Sequence, residues 1–301
     1  MIWIIIGVVL LVLLGTGFAL AYYLVYPNDY TLEAAQEDME RLGFWRDFDA
    51  LPKQEYLVTA RDGYQLHTLL VPAAVPSNHY VIISHGYGCN RCGSVKYLHM
   101  FRDLGFHCIL YDNRGHGLNP PCVCTMGLRE SDDLLDVLAD TYHRYGQDIR
   151  VGLHGESMGA ALTVMALGKK PRVKFAVIDC SYSNLMDVVQ TKAKTLFGAP
   201  KFLCYPGSLI CKLVFGYGLW EVKPARALTD NKVPVCFIHG ESDKLIHYRH
   251  SVELSKANGG YCELHLFPGA EHARCIAMDE DRYCRIVKVF LDKCYFGEQH
   301  G

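Results

Sequence analysis

Charge is missing from one end of this chain. From Ile2 to Tyr26 no side chain is charged, and the first that is comes at Asp29. Twenty-five such residues exceed the roughly 20 that a helix needs to cross a bilayer. Trp3 stands at one end, and Tyr22, Tyr23 and Tyr26 at the other, where amphipathic rings favour the headgroup level. Pro27 would end such a helix. The expectation is a transmembrane anchor over 1–27, followed by an acidic connector helix over 28–51. No Lys or Arg precedes the run, which argues against a secretory leader, although Ala19-Leu20-Ala21 would suit a cleavage site. Only Arg41 and Arg46 lie just beyond it, so loop charge says little about orientation. The reading adopted is a single-pass signal-anchor with the large C-terminal domain on the extracytoplasmic side.

Other absences narrow the rest. The formal charge is only −2 and no basic patch is interleaved with aromatics, so a nucleic-acid partner is not expected. There is no internal repeat and no low-complexity tract, which excludes solenoids and arrays. The 13 cysteines are an odd number and are spread over the whole domain, unlike the paired framework of a small secreted protein. Cys89 and Cys92 form a C-x-x-C, and Cys122 and Cys124 a second tight pair. No second C-x-x-C supplies the remaining ligands of a zinc site, so no metal is expected. A local disulfide or a redox module at Cys89-x-x-Cys92 is the competing reading. Cys108, Cys236 and Cys262 sit inside apolar runs, where a thiol behaves as a small hydrophobe.

What is present is an alternation. Strand-like runs at Glu55–Ala60 and Gln65–Val71 flank Arg-Asp-Gly, a hairpin signal. Apolar strands follow at Tyr80–Ser84, His107–Tyr111, Arg150–Leu153, Phe175–Ile178, Val235–Ile238 and Glu263–Phe267. Between them lie helical patterns at Val95–Leu104, through Leu135, Leu138, Tyr142 and Tyr145, over Ala160–Gly168, and through Tyr283, Ile286, Val287, Phe290 and Cys294. Strands alternating with helices predict an α/β fold with a mostly parallel sheet covered on both faces. Residues 52–301 would form this domain. One stretch breaks the rhythm. Residues 183–224 are too long for an ordinary connection and rich in aromatics, and read as a small cap.

In such sheets function gathers beyond the carboxyl ends of the strands. Three His-Gly pairs fall there: His85-Gly86, His154-Gly155 and His239-Gly240. The second opens Gly155-Glu156-Ser157-Met158-Gly159, a G-x-S-x-G between a strand and an Ala-rich helix. The turn has to lift a serine clear of the sheet, so its neighbours two residues away must be small. Ser157 is the candidate nucleophile. A serine needs a base, and the base an orienter. His272 and Asp243 each follow a strand on the same rim and come in the order serine, acid, histidine. Asp179, after its own strand, is the rival acid. His265 sits inside a strand and is discounted. The oxyanion donors would be the backbone N–H groups of Met158 and Tyr87, the latter in the loop 85–90. Asp112 and Arg114, in Asp112-Asn113-Arg114-Gly115-His116-Gly117, read as braces between loops, and His116 as a packing residue.

Taken together, H-G-Y-G at 85–88, D-N-R-G-H-G at 112–117, G-E-S-M-G at 155–159, H-G-E-S-D at 239–243 and G-A-E-H at 269–272 resemble the α/β-hydrolase superfamily. The resemblance spans about residues 52–296 and is strongest to bacterial membrane-anchored hydrolases of serine aminopeptidase-like or esterase-like kind. It implies an α/β-hydrolase fold, a Ser157-His272-Asp243 triad, an acyl-enzyme, a small-molecule acyl substrate and no cofactor. One departure matters. Proline-specific aminopeptidases of the superfamily carry H-G-G-P-G at the oxyanion loop, where this chain has H-G-Y-G-C-N. That favours an ester or other small acyl substrate over a peptide. A non-catalytic binding protein on the same scaffold is the alternative of a different class.

Overall fold

Eight strands form one sheet in the order β1-β2-β4-β3-β5-β6-β7-β8. They are β1 (Gln54–Thr59), β2 (Gln65–Val71), β3 (His79–Ser84), β4 (Phe106–Tyr111), β5 (Arg150–Glu156), β6 (Ala176–Asp179), β7 (Val235–Gly240) and β8 (Cys262–Phe267). The hairpin β1–β2 is antiparallel, and β2 joins β4 antiparallel. Every pairing from β4 through β3, β5, β6 and β7 to β8 is parallel. The structure is a computed structural model and describes residues 1–4, 7, 15, 18, 21–22, 25–26, 30–198 and 200–297. The expected anchor over 1–27 falls largely outside the described residues. Among the described residues, no helix is long and apolar enough to cross a membrane.

The parallel strands are apolar because both faces are covered. One face packs with Val81, Ile83, Val177 and Ile238 against Phe101, Phe175, Tyr283, Val287 and Phe290. The other packs with Ile82, Ile109, Leu153 and Phe237 against Leu134, Leu138, Leu162 and Leu254. The corresponding helices are α2 (Leu98–Asp103), α3 (Glu130–Tyr145), α4 (Met158–Leu167), α8 (Arg249–Ala257) and α10 (Glu280–Leu291).

The connector differs from its expected form. Its helix, α1, covers only Leu32–Arg41, and Gly43 then turns the chain with φ 77°. Met39, Phe44, Trp45 and Phe48 beyond or within it are buried in the main core, so this stretch is packed into the domain. The helix expected over Val95–Leu104 is a 3-10 segment at Arg91–Tyr97 that becomes α-helical only at Leu98. Strand β5 runs on through Gly155 and Glu156, because β3 pairs with Gly155 and β6 with both.

Between β6 and β7 the chain inserts α5 (Leu185–Phe197), a 3-10 turn, α6 (Cys204–Phe215), a second 3-10 turn and α7 (Pro224–Ala227). Helices α5 and α6 share one apolar cluster with Met158, Ala161 and Tyr182. The insertion is therefore seated against the start of α4. The short helix α9 (Cys275–Met278) completes the set.

Candidate active site

Ser157 sits where β5 ends and α4 begins, at φ 56° and ψ −115°. An L-residue at positive φ is strained, by roughly 1–3 kcal/mol. The two glycines explain how the turn closes. A Cβ on Gly155 would lie 2.3 Å from the Gly159 carbonyl oxygen, and one on Gly159 would lie 2.1 Å from that of Ser84. No side chain fits at either position. The Ser157 N–H is held by the Asp179 carbonyl at 2.9 Å.

The three residues expected to act together meet. Ser157 Oγ lies 2.9 Å from His272 Nε2, and His272 Nδ1 lies 2.6 Å from Asp243 Oδ2. With Nδ1 donating to the carboxylate, Nε2 is left to accept the serine proton. Asp243 is buried while Ser157 and His272 keep partial access to solvent. Burial alone would raise the Asp243 pKa, but hydrogen bonds from His239 and His272 hold it well below the ordinary carboxylate range. The Leu245 and Ile246 N–H groups donate to its other oxygen, each at 2.8 Å. Asp243 is thus an anion with four donors.

His239, placed on this rim by its His-Gly pair, carries a role toward Asp243 that its position alone does not assign. His239 Nε2 contacts both Ile246 O at 2.8 Å and Asp243 Oδ2 at 3.2 Å. Two acceptors around one nitrogen mark it as the protonated one, so Nδ1 accepts from Ser251 Oγ at 2.7 Å. The only available sequence signal was the spacing of four from His239 to Asp243 across a strand end.

The loop 85–90 passes directly over the serine, since a Cβ on Gly86 would lie 3.4 Å from Ser157 Cβ. His85 anchors it. Its Nε2 accepts from the Asn113 N–H at 2.8 Å, and its Nδ1 donates to Gly86 O at 2.8 Å. Burial and the neighbouring His116 push the His85 pKa down to about 3, so the ring is neutral. This brings Tyr87 and Met158 into the same neighbourhood; both belong to the cluster beside the serine. Asp112 and Arg114 form the expected braces. Asp112 accepts from the Arg91 N–H at 2.8 Å and the Leu118 N–H at 3.1 Å. Arg114 pairs with the buried Asp133 and with Asp62 at 2.8 Å. His116 packs edge-on against His85 and Tyr87.

Beneath the turn lies a second group of charges that the sequence did not reveal. Lys96, buried, pairs with Glu156 and also donates to Ala273 O at 3.2 Å. The Tyr97 hydroxyl donates to Glu156 at 2.5 Å and lies 3.1 Å from Asp179. Lys96 therefore joins the residue before Ser157 to the residue after His272. Asp179, the rival acid, belongs to this group. Burial, and next the charge of Glu156, push its pKa up to about 6. His265 lies in β8 and bonds Glu263 at 2.9 Å, as its strand position implied.

Among the described residues no two cysteines are joined by a disulfide. Burial raises Cys89 to about 11 and Cys92 to about 12, so neither is a reactive thiolate. Cys180, Asp243 and His272 are the one group among the described residues whose ligand atoms lie within 4.8 Å of one another. Two of the three are already joined by the short hydrogen bond described above, and burial lifts the Cys180 thiol well above its usual range.

Comparison with known proteins agrees with this architecture. The uncharacterized protein YqkD of Bacillus subtilis is 26% identical over 293 residues, covering 95% of both chains. The Pyrococcus furiosus esterase Pf2001 superposes with a TM-score of 0.70 at 21% identity, over 90% of this chain and 98% of that one. An acylaminoacyl peptidase of Pyrococcus horikoshii superposes with a TM-score of 0.62 at 14% identity, over 82% of this chain and 43% of that one. These likenesses establish the α/β-hydrolase fold. The sequence profile of the prolyl oligopeptidase family matches residues 94–296, which takes in Ser157, Asp243 and His272, and the chain belongs to that family of serine hydrolases.

Proposed function

We propose that this protein hydrolyses a small carboxylic ester through an acyl-enzyme on Ser157. The observation that supports this most is the unbroken line of hydrogen bonds from Ser157 Oγ through His272 to the buried Asp243. In this reading His272 Nε2 takes the serine proton as Oγ attacks the acyl carbonyl. The Met158 and Tyr87 N–H groups stabilise the oxyanion, each donor contributing about 3 kcal/mol. The intermediate collapses, and the leaving alkoxide takes the proton from His272. Water then gives a proton to His272 and attacks the acyl carbon, releasing the acid and restoring Ser157. Asp243 stays ionised and fixes the histidine tautomer.

The oxyanion loop H-G-Y-G-C-N favours an ester. The family match and the acylaminoacyl peptidase neighbour favour the second reading, an acylated peptide. A panel of short acyl esters and aminoacyl anilides separates the two by kcat/KM. A fluorophosphonate should label the wild-type protein and leave Ser157→Ala unlabelled. A folded wild type that stays unlabelled and inert on both substrate classes would falsify the hydrolase reading and leave a binding role on the same scaffold.

The uncharged run Ile2–Tyr26 supports membrane anchorage, and the extracytoplasmic face for the hydrolase domain is the orientation we propose with it. Retention in the membrane after alkaline extraction, and digestion of the domain by protease added outside the cell, are the expected results.

A further inference from the structure

We propose that the outer face of α6 rests on the surface of an anionic lipid bilayer, and that the acyl substrate reaches Ser157 from that surface. The substrate half of this proposal rests on the hydrolase reading above.

The helix is apolar on the wrong side. Cys204, Gly207, Ser208 and Cys211 are buried, which uses up its inward face. A surface helix should then turn polar residues outward. Instead Tyr205, Leu209 and Leu213 are exposed at intervals of four, joined by Val214 and by Phe202 just before the helix. Leu213 is 77% exposed and Phe202 65%. Contiguous outward apolar residues of this kind mark a contact surface.

Charge selects the partner. Between Asp187 and Glu221 the chain carries four lysines, Lys192, Lys194, Lys201 and Lys212, and no acid, although its overall charge is −2. The bracketing acids reach two of them: Lys212 bonds Glu221 at 2.8 Å, and Lys201 stands 3.8 Å from Asp187. All four lie on the same inserted element. An apolar helical stripe among lysines is the pattern of a helix lying in the headgroup region, with lysine stems lying along the apolar face and ammonium groups reaching anionic phosphates.

Position supports the same partner. Ala21 and Val25, near the end of the long uncharged run, are buried in the cluster that holds Cys204, Cys211 and Tyr217. The Val25 carbonyl accepts from the Cys124 N–H at 2.9 Å, and the Tyr26 ring lies 6.2 Å from that of Phe215 at the end of α6. The end of the uncharged run is therefore packed beside α6. The same cluster contains Met158, and Tyr87 packs against it. One apolar cluster thus joins the buried face of α6, the end of the run and Met158 next to Ser157.

The test uses the full chain, reconstituted in phosphatidylcholine vesicles with or without phosphatidylglycerol, and in detergent. Hydrogen exchange over residues 202–214 should slow in the anionic vesicles relative to detergent. The double variant Leu209→Glu, Leu213→Glu should lose roughly tenfold in rate on a long-chain ester presented in those vesicles, since carboxylates resist the headgroup boundary and anionic lipid repels them. Its rate on a water-soluble short ester should stay within about twofold, as expected for surface substitutions. Leu57→Glu, at an exposed site on β1, should change neither rate. Equal exchange in vesicles and detergent, or an unchanged ratio of the two rates in the double variant, overturns the proposal. So does a wild type that is dimeric in detergent while the double variant is monomeric, which would assign the stripe to a second copy. If the wild type fails on the short ester, the hydrolase reading falls, and the exchange measurement still decides the lipid contact.

Discussion

His154-Gly155-Glu156-Ser157 and His239-Gly240-Glu241-Ser242 are the same four residues, set at the ends of β5 and β7 on either side of β6. The sheet gives both glycines the same duty. A Cβ on Gly155 would strike the Gly159 carbonyl, and one on Gly240 would strike that of Ala270, each at 2.3 Å. Their neighbours diverge. His154 is buried against Tyr97 and bonds the Tyr283 hydroxyl at 3.1 Å, and burial lowers its pKa to about 3. His239 holds Asp243. Glu156 is buried on Lys96, whereas Glu241 is exposed. Ser157 starts a helix at positive φ, whereas the exposed Ser242 sits in a turn and its N–H bonds Ala270 O at 3.0 Å. The next two residues make the difference. Met158-Gly159 lets α4 begin immediately, because Gly159 tolerates the Ser84 backbone. Asp243-Lys244 instead folds the chain around a carboxylate. A shared tetrapeptide therefore reports a shared place at a strand end, and its chemistry is set by the pair of residues next in the chain.

The sharpest way to break this comparison is to exchange the serines. Ser157→Ala should lower kcat on a short acyl ester by roughly 10⁴-fold or more, with a melting temperature near that of the wild type. Ser242→Ala should stay within about twofold, as an exposed turn substitution does. A large loss in Ser242→Ala would mean that the two copies share a chemical role.

Much of this architecture is readable from residues alone, for a physical reason. Buried parallel strands need continuous apolar runs, so β3, β4 and β7 announce themselves, and the ends of β5, β7 and β8 fix where Ser157, Asp243 and His272 have to emerge. The features that escape such reading depend on distant partners. Lys96 looks like a surface residue until Glu156 and Asp179, some 60 and 80 positions later, neutralise it. Asp133 looks like an acid favouring a helix start, and in fact it grips Arg114. Helix α8 has few apolar residues, and its buried side carries His250 and Ser251 beside Leu254. Its stability comes from packing on β7 and β8, which local propensity does not encode.

The glutamates offer the next test. Lys96→Met would leave Glu156 and Asp179 buried with no cation between them. Stranding buried charge in this way costs about 3–5 kcal/mol, read as a lower urea midpoint for the full chain in detergent. Glu241→Gln, at the matching position of the second copy, should change stability by no more than about 0.5 kcal/mol. Similar losses in both variants would mean that the first copy's glutamate is not specially held.

Asp179 sharpens the comparison from between the two copies, at the end of β6. Its pKa is raised to about 6 from an ordinary 3.8, so across that interval the folded chain binds a proton that the unfolded chain has released. Stability from this group is therefore present below pH 4 and is lost as pH rises toward 6. At pH 7 the ionised carboxylate costs at most about 3 kcal/mol. Asp179→Asn removes that cost and leaves Lys96 balanced by Glu156 alone. The variant should gain stability at pH 7, lose the decline between pH 4 and 6, and keep its activity within about twofold. Asp243 predicts the opposite sign, because its pKa is lowered and its contribution grows as pH rises through the ordinary carboxylate range. If Asp179→Asn abolished hydrolysis while Asp243→Asn spared it, the acid that orients His272 would belong to β6, and the second tetrapeptide would have no part in the site.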